Sequence, residues 1–356
     1  MNGEWHDKIF SVTESDFRQL ALDIFHFQYG TNKVYNSYVN ALGKSPSSVD
    51  EIEKIPFLPI NFFKTDEIKA GKFNAEVIFK SSGTTQTINS QHHVKDVSIY
   101  TKSFTSAFEK MYGDLKEWCI LGLLPSYLEK GDSSLVYMVN SLIKQSQHAQ
   151  SGFYLYDLDR LRETLFSLER ADQKTLLIGV TYALLDFAEK FPPDSYREPL
   201  KNTIIIETGG MKGRREELTR MEVHERLRKV FGNIEVHSEY GMTELLSQAY
   251  AKNGGRFECP SWMKVLIRDD EDPLTVWSSE LRVGSRESIV VSQRLRTPNS
   301  ELGTITGAIN IIDLANVYSC SFIATDDVGR LYADNSFEVL GRMDGSDLRG
   351  CSLLTV

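Results

Sequence analysis

Cysteine is scarce: there are four in 356 residues, Cys119, Cys259, Cys320 and Cys351, far apart and without a C-x-x-C pair. That spacing argues against a disulfide framework and against a thiolate metal site, and suits reduced thiols in a cytoplasmic protein. No uncharged apolar run approaches the roughly 18 residues that a bilayer-spanning helix needs. The opening stretch Met1 to Lys8 lacks the apolar core of a secretion signal. An excess of basic residues is missing too, since 40 Lys and Arg against 49 Asp and Glu leave a net charge of −9. Such a chain repels phosphate backbones and anionic lipid, so neither a nucleic-acid partner nor a membrane span is expected. The seven histidines form no H-E-x-x-H pair, which removes the commonest zinc-hydrolase pattern. There is no G-x-S-x-G elbow for a serine hydrolase, no G-x-G-x-x-G dinucleotide fingerprint and no G-x-x-x-x-G-K-[ST] phosphate loop. What is present, 41% hydrophobic and 25% charged residues, is the balance of a globular, enzyme-sized chain.

Its patterning divides into four stretches. Residues 1–75 read as helical, from Phe17 to Leu42, and then as a packed, extended segment, Ile55 to Phe63. There Pro56 and Pro59 forbid a regular helix. Residues 76–260 alternate short apolar runs with helical periodicity. Val77–Phe79, Trp118–Leu124, Thr175–Val180 and Thr203–Ile206 predict strands, and Arg214–Phe231 predicts a helix stopped by Gly232. Strands alternating with helices predict an α/β fold with mainly parallel sheets, whose ligands sit beyond the strand ends. Residues 261–340 lose the helical signal; Val265–Ile267, Ser288–Val291, Thr304–Ile312 and Phe337–Leu340 predict a smaller β-rich subdomain. Residues 341–356 form a glycine-containing tail.

Four segments carry chemistry. Ser81-Ser82-Gly83-Thr84-Thr85 follows the Val77–Phe79 strand, and hydroxyls with glycine-exposed amides at a strand end make a concave donor surface for anionic oxygens. The same composition also makes plain turns. Glu239-Tyr240-Gly241-Met242-Thr243-Glu244 offers a ring face for a purine, a hydroxyl for a phosphate and a carboxylate suited to Mg²⁺. In Ala324-Thr325-Asp326-Asp327-Val328-Gly329 an aspartate can accept from ribose hydroxyls, although paired aspartates before glycine also make turns. In Gly341-Arg342-Met343-Asp344 the arginine's planar fork matches phosphate and ribose oxygens.

In that order, the segments resemble those of the adenylate-forming superfamily of acyl-CoA synthetases, luciferases and peptide-synthetase adenylation domains, over about residues 76 to 351. The resemblance implies ATP and Mg²⁺ as cofactors and a truncated form of that superfamily's large domain. It implies that Ser81, Ser82, Gly83, Thr84 and Thr85 hold the β- and γ-phosphates, and that Gly209 and Gly210 lie against adenine. Tyr240, followed by Gly241, would stack on adenine, Thr243 would touch the α-phosphate and Glu244 would hold the metal. Asp327 would bind ribose, with Asp326 an alternative in the next register, and Arg342 would act nearby. Within the superfamily the chain is similar to the acyl-protein synthetases of the bacterial luminescence fatty-acid reductase, through Leu124–Glu129, Gly209–Arg215 and Gly341–Leu354.

The sequence ends fourteen residues after Arg342, without the C-terminal domain whose lysine steadies the reacting groups in the superfamily. Lys212, Arg214 and Arg215 are candidates to replace that cation, and equally the exposed start of a helix. The resemblance places the family's acylated cysteine at Cys351, nine residues beyond Arg342, a stretch that spans at most roughly 30 Å. Arg349 would favour its thiolate. His237, ending a strand beside the nucleotide segment, is a candidate for the substrate pocket as well as for a structural role. The expected activity is ATP-dependent activation of a fatty or other carboxylic acid, with transfer to Cys351 and then to a partner reductase or acyltransferase. The alternatives are a ligase with CoA as direct acceptor, and a non-catalytic acyl- or nucleotide-binding relative.

Overall fold

The computed structural model describes residues 2–81, 88–124, 132–191, 200–209, 218–232, 234–252, 254–269, 271–279 and 304–343. Its helices are α1 (Asn2–Phe10), α2 (Glu14–Thr31), α3 (Lys33–Ala41), α4 (Phe62–Thr65), α5 (Val97–Tyr112), α6 (Ser134–Ser146), α7 (Leu158–Arg170), α8 (Thr181–Lys190) and α9 (Arg220–Phe231). The strands of the α/β half are β2 (Val77–Lys80), β3 (Gln91–Val94), β4 (Cys119–Leu123), β5 (Gly152–Phe153), β6 (Thr175–Val180), β7 (Thr203–Thr208), β8 (Glu235–Tyr240) and β9 (Ala249–Ala251). The remaining strands are β1 (Leu58–Pro59), β10 (Met263–Arg268), β11 (Val276–Trp277), β12 (Thr304–Asp313), β13 (Phe322–Tyr332) and β14 (Phe337–Arg342). No helix among the described residues is long and apolar enough to cross a membrane.

One sheet has the order β5-β4-β6-β7-β8-β9, parallel except for β9. Its central strand, Thr175-Leu176-Leu177-Ile178-Gly179-Val180, is buried along its whole length. Helices on both faces explain why that strand reads as a continuous apolar run rather than an alternation. Because β4, β6, β7 and β8 run the same way, their C-terminal ends share one edge, and Tyr240 closes β8 at that edge. The short hairpin β2–β3 stands apart, with Phe79 opposite His92.

The second sheet is antiparallel, in the order β13-β12-β10-β11. The edge of β13 is shared: β1 runs parallel to its first half, and β14 antiparallel to its second. Pro59 is tolerated in β1 because an edge strand needs no donor on its outer side. The Ile55–Phe63 segment is therefore packed and partly extended, and it ends in α4.

The N-terminal helices dock on this sheet through buried amides. Gln28 of α2 donates to the carbonyls of Asn316 and Val317, 3.0 Å each, and accepts from the Ser321 amide at 3.0 Å. Asn32 donates to the Ser319 carbonyl at 3.0 Å. Tyr35 stacks on Phe322 and donates its hydroxyl to the Pro56 carbonyl at 2.7 Å.

Several boundaries differ from the sequence reading. The described part of the 214–231 helix begins at Arg220, where Thr219 and Glu222 form a reciprocal cap. Strand β8 runs on through Glu239 and Tyr240 rather than stopping at His237. Asp326 and Asp327 lie within β13, not in a turn. Ser288–Val291 lies outside the described residues.

Replacing Gln28 with alanine leaves two buried carbonyls and one amide without that partner. We expect a loss of about 3 kcal/mol of folding stability, read as a lowered urea midpoint at unchanged slope. A loss below about 1 kcal/mol would show that the helix docks by apolar contact alone.

Candidate functional site

The site assembles where the C-terminal edge of the parallel sheet meets the antiparallel sheet. Tyr240, at the end of β8, donates its hydroxyl to Asp327 Oδ2 of β13 at 2.8 Å. Its ring meets Phe337 edge-on at 5.4 Å and lies 5.8 Å from Phe257. Asp327 pairs in register with Arg342 of β14. The guanidinium donates from Nη2 to Asp326 Oδ2 at 3.1 Å, while its Nε lies 3.8 Å from Asp327 Oδ1. That Nε is buried and has no hydrogen-bond partner. The two adjacent aspartates thus divide their work: Asp327 faces Tyr240, and Asp326 fixes the arginine.

The turn after β8 is shaped by a close approach. A side chain at Gly241 would run into Glu239 Oε1. Glu239 is buried and accepts from the Thr208 hydroxyl on the neighbouring strand. Burial pushes its carboxyl up to about 7, helped by nearby Glu207 and opposed by the Thr208 hydrogen bond. Beyond the glycine, the backbone is held from three sides. His92 Nδ1 bonds the Thr243 carbonyl at 2.9 Å, and Asn316 Nδ2 bonds the Glu244 carbonyl at 2.8 Å. Asp313 accepts from the amides of Leu246 (2.8 Å) and Ser247 (3.0 Å) and from the Ser247 hydroxyl (2.6 Å). Burial raises Asp313 to about 6 against those donors.

Gly209 follows β7 with a left-handed φ of 71°, a backbone that favours glycine. Beneath it lies a buried charge cluster. Glu207 has Arg220 Nε at 3.6 Å and His224 Nε2 at 3.7 Å. Burial pushes Glu207 up, yet His224, Arg220 and Ser238 outweigh it and hold the carboxyl below its ordinary range. The Thr181 hydroxyl ties the cluster to the loop, lying 3.1 Å from Glu207 Oε2 and 2.9 Å from the Gly209 carbonyl.

Ser81 closes the β2–β3 stem: its hydroxyl accepts from the Ser90 amide at 2.9 Å, and its own amide donates to the Ser90 carbonyl. Ser82, Gly83, Thr84, Thr85, Gly210, Lys212, Arg214, Arg215, Arg349 and Cys351 lie outside the described residues. Of the sequence candidates, the structure brings together Tyr240, Asp326, Asp327 and Arg342. Gly241, Thr243 and Glu244 continue from Tyr240.

His237 is placed differently, on the face of β8 toward α5. It stacks on Tyr112, its Nδ1 lies 3.1 Å from the Tyr112 hydroxyl, and its Nε2 lies 3.1 Å from Glu235. It is 1% exposed, and both nitrogens are engaged within the protein. Cys119, Cys259 and Cys320 are raised by burial to about 11, 12 and 12, so these thiols stay protonated near neutrality.

Sequence reading missed His92, Glu239, Asp313 and Asn316. Glu239 had a signal, since it adjoins Tyr240-Gly241. The other three carry no motif, because their partners lie far away along the chain. Among the described residues no cluster of three metal-ligating side chains occurs. Glu244 is buried; Mg²⁺ is commonly held by one or two carboxylates together with substrate phosphates and water rather than by a protein cage.

A family model described as "Acyl-protein synthetase, LuxE" matches residues 10–355. No curated protein matches the chain. Among solved structures, a 2-hydroxyisobutyryl-CoA ligase in the postadenylation state, in complex with R3-HIB-AMP, aligns with a TM-score of 0.60 at 10% identity. That alignment covers 96% of this chain and 71% of the ligase. An ATP-bound RpMatB-BxBclM chimera aligns with a TM-score of 0.51 at 15% identity, covering 85% of this chain and 51% of its own. The chain thus spans about half the length of the second structure, and the likeness in both is one of fold: the α/β architecture of adenylate-forming enzymes.

Glu239 yields a pH prediction. Its folded value, about 7, lies above its ordinary 4.5. The stability it contributes is therefore fully present below 4.5 and lost as the pH rises through 7. Glu239→Gln keeps an acceptor for Thr208 and removes the titration. The variant should gain on the parent by about 2–3 kcal/mol between pH 4.5 and 8, followed by denaturant unfolding at each pH. Parallel stability curves would refute this.

Proposed function

We propose, because the chain belongs to the LuxE acyl-protein synthetase family, that it activates a carboxylic acid with ATP and carries the acyl group on Cys351. What supports the adenylation reading is the convergence of Tyr240, Asp327 and Arg342, joined by bonds between two sheets, with Thr243 and Glu244 at the next turn. An aromatic side chain, a ribose acceptor, a planar cation, a hydroxyl and a metal-binding carboxylate are the groups that a nucleoside triphosphate requires; Tyr240 bonds Asp327, and Arg342 pairs in register with it.

The chemistry follows from the substrate. A carboxylate is a poor electrophile, because the group it would expel is oxide-like. Its oxygen attacks the α-phosphorus; a P–O bond forms as the bond to the β-phosphate oxygen breaks and pyrophosphate leaves. Negative charge builds on the α- and β-phosphate oxygens. Arg342 and the Thr243 hydroxyl are the groups we assign to offset it. Mg²⁺ on Glu244 would supply further charge neutralisation when bound. Asp327 accepts from the ribose hydroxyls, and Ser81 to Thr85 cradle the departing phosphates. The Tyr240–Asp327 bond orients the ribose acceptor before nucleotide arrives, so less ordering remains for binding.

The mixed anhydride then meets the Cys351 thiolate. A C–S bond forms, the acyl–phosphate C–O bond breaks and AMP leaves with its negative charge. The resulting thioester keeps the acyl carbon electrophilic for transfer to a partner reductase or acyltransferase. The three described thiols are held protonated by burial, which leaves them unsuited to this step. A fatty acid is the substrate class we assign, in keeping with the family.

The test is covalent labelling with radiolabelled fatty acid, ATP and Mg²⁺. Cys351→Ala should abolish label on the protein while acid-dependent ATP–pyrophosphate exchange continues. Glu244→Ala should lower that exchange by about 10²-fold. Label retained in Cys351→Ala would overturn the thioester assignment, and a parent protein with no exchange for any acid would overturn the adenylation reading.

A further inference from the structure

The backbone that carries Thr243 and Glu244 is tied to the stem of the phosphate loop by one imidazole. His92 sits in β3, opposite Phe79 and two residues beyond Ser90, which closes the stem with Ser81. It is 1% exposed, and its ring meets Phe63 edge-on at 5.9 Å. Its Nδ1 bonds the Thr243 carbonyl across a sequence separation of 151 positions. A carbonyl can only accept, so Nδ1 carries the proton and Nε2 is an acceptor. Asn316, fully buried after β12, makes the equivalent bond to the Glu244 carbonyl. Consecutive carbonyls are thus gripped by one donor from a hairpin strand and one from the turn after β12.

A second observation joins the two donors. His92 Nε2 and Asn316 Oδ1 are both buried without a hydrogen-bond partner. His92 and Asn316 border the same void of about 10 Å³, the room that about one water molecule needs. A leucine at 92 would leave no orphaned nitrogen, but it would also remove the donor to the Thr243 carbonyl. Retaining a buried polar ring that satisfies only one of its nitrogens makes sense where its single bond has a task.

We propose that His92, together with Asn316, is a positioning residue for the nucleotide chemistry, registering the Thr243–Glu244 backbone against the hairpin that bears the phosphate loop. It touches neither substrate nor metal. It fixes the spacing between two phosphate-binding segments that the chain supplies from remote positions, so that the Thr243 hydroxyl and the Glu244 carboxylate meet the same triphosphate that Ser81 to Thr85 cradle. The inference rests on the adenylation reading given above and assigns to it two residues that lie outside every nucleotide motif.

The geometry dictates the test. Asparagine places an amide N–H close to the position of Nδ1, whereas glutamine places it closer to that of Nε2. In acid-dependent ATP–pyrophosphate exchange, His92→Ala should lower kcat by about 10- to 100-fold and raise the Mg²⁺ concentration for half-maximal rate, with KM for the acid unchanged. His92→Asn should recover most of the rate and His92→Gln should not. Should His92→Ala fail to fold, the Asn and Gln variants carry the comparison, since both keep a polar side chain of similar burial. Parental kinetics in His92→Ala, equal recovery by Asn and Gln, or an effect confined to KM for the acid would overturn the proposal. Absence of exchange in the parent would instead overturn the adenylation reading, so the two failures are distinguishable.

Discussion

The bond from the Tyr240 hydroxyl to the Asp327 carboxylate is the contact on which the arrangement depends. It is buried and charge-assisted, a class worth about 1.5–3 kcal/mol, and it joins the edge of the parallel sheet to a strand of the antiparallel one. Neither sheet alone contains a site. The parallel sheet supplies Tyr240 and the turn after it, and the antiparallel sheet supplies Asp327 and, through register, Arg342. Tyr240 is also locked among Phe257 and Phe337, so its hydroxyl cannot leave Asp327 without disturbing that packing. A buried carboxylate deprived of this donor would have to be resolvated or protonated, and either change would move the strand that carries it.

Around this contact the protein holds carboxylates in three different ways. Glu207 is surrounded by cationic or donor groups, Arg220 and His224, and is kept ionised despite burial. Asp313 accepts from three amides and a hydroxyl, which only partly offset its burial. Glu239 has the Thr208 hydroxyl and the repulsion of Glu207, and titrates highest of the three. The order follows the number and charge of the donors rather than the depth of burial. The ionised member is linked through the Thr181 hydroxyl to the Gly209 carbonyl, whereas Asp313 holds the amides of Leu246 and Ser247.

Much of the architecture was legible in the sequence. The β6 run, Thr175 to Val180, coincides with the observed strand residue for residue, because a strand buried on both faces leaves a plain apolar signature. The strand content of the later part was legible from its short apolar runs, though not its antiparallel order, and the packed Ile55–Phe63 segment was legible from Pro56 and Pro59. Errors fall where a polar residue is satisfied by a strand neighbour. Glu239 reads as a loop residue until Thr208 is seen beside it, and the Asp326–Asp327 pair reads as a turn until Arg342 is placed opposite. Periodicity cannot see cross-strand partners. The start of α9 was within reach, since Thr219-Arg220-Met221-Glu222 is a capping-box pattern. The motif residues Tyr240, Asp327 and Arg342 were identified by resemblance, and the structure joins them. His92, Asp313 and Asn316 were not legible, because a side chain that serves a distant carbonyl leaves no local pattern.

These illegible residues share a physical property that motif residues lack. Phosphoryl chemistry rewards donors and charges whose positions are set before the reaction, since any reorganisation during it raises the barrier. The positions of the side chains assigned to nucleotide are set by groups packed against them. His92 illustrates the requirement. Burial lowers its basicity to about 4, with the Thr243 hydrogen bond and nearby Glu244 opposing that shift less strongly. The ring therefore stays neutral across physiological pH, its one proton committed to the Thr243 carbonyl. A solvent-exposed histidine would gain a second N–H and a positive charge between pH 5 and 8, changing the field beside Glu244. Burial converts a titratable side chain into a fixed one. Glu239, five positions before Glu244, has a value near 7, and Asp313, which holds the Leu246 and Ser247 amides, has one near 6; the charge of both changes there, while the His92 bond to the Thr243 carbonyl does not respond.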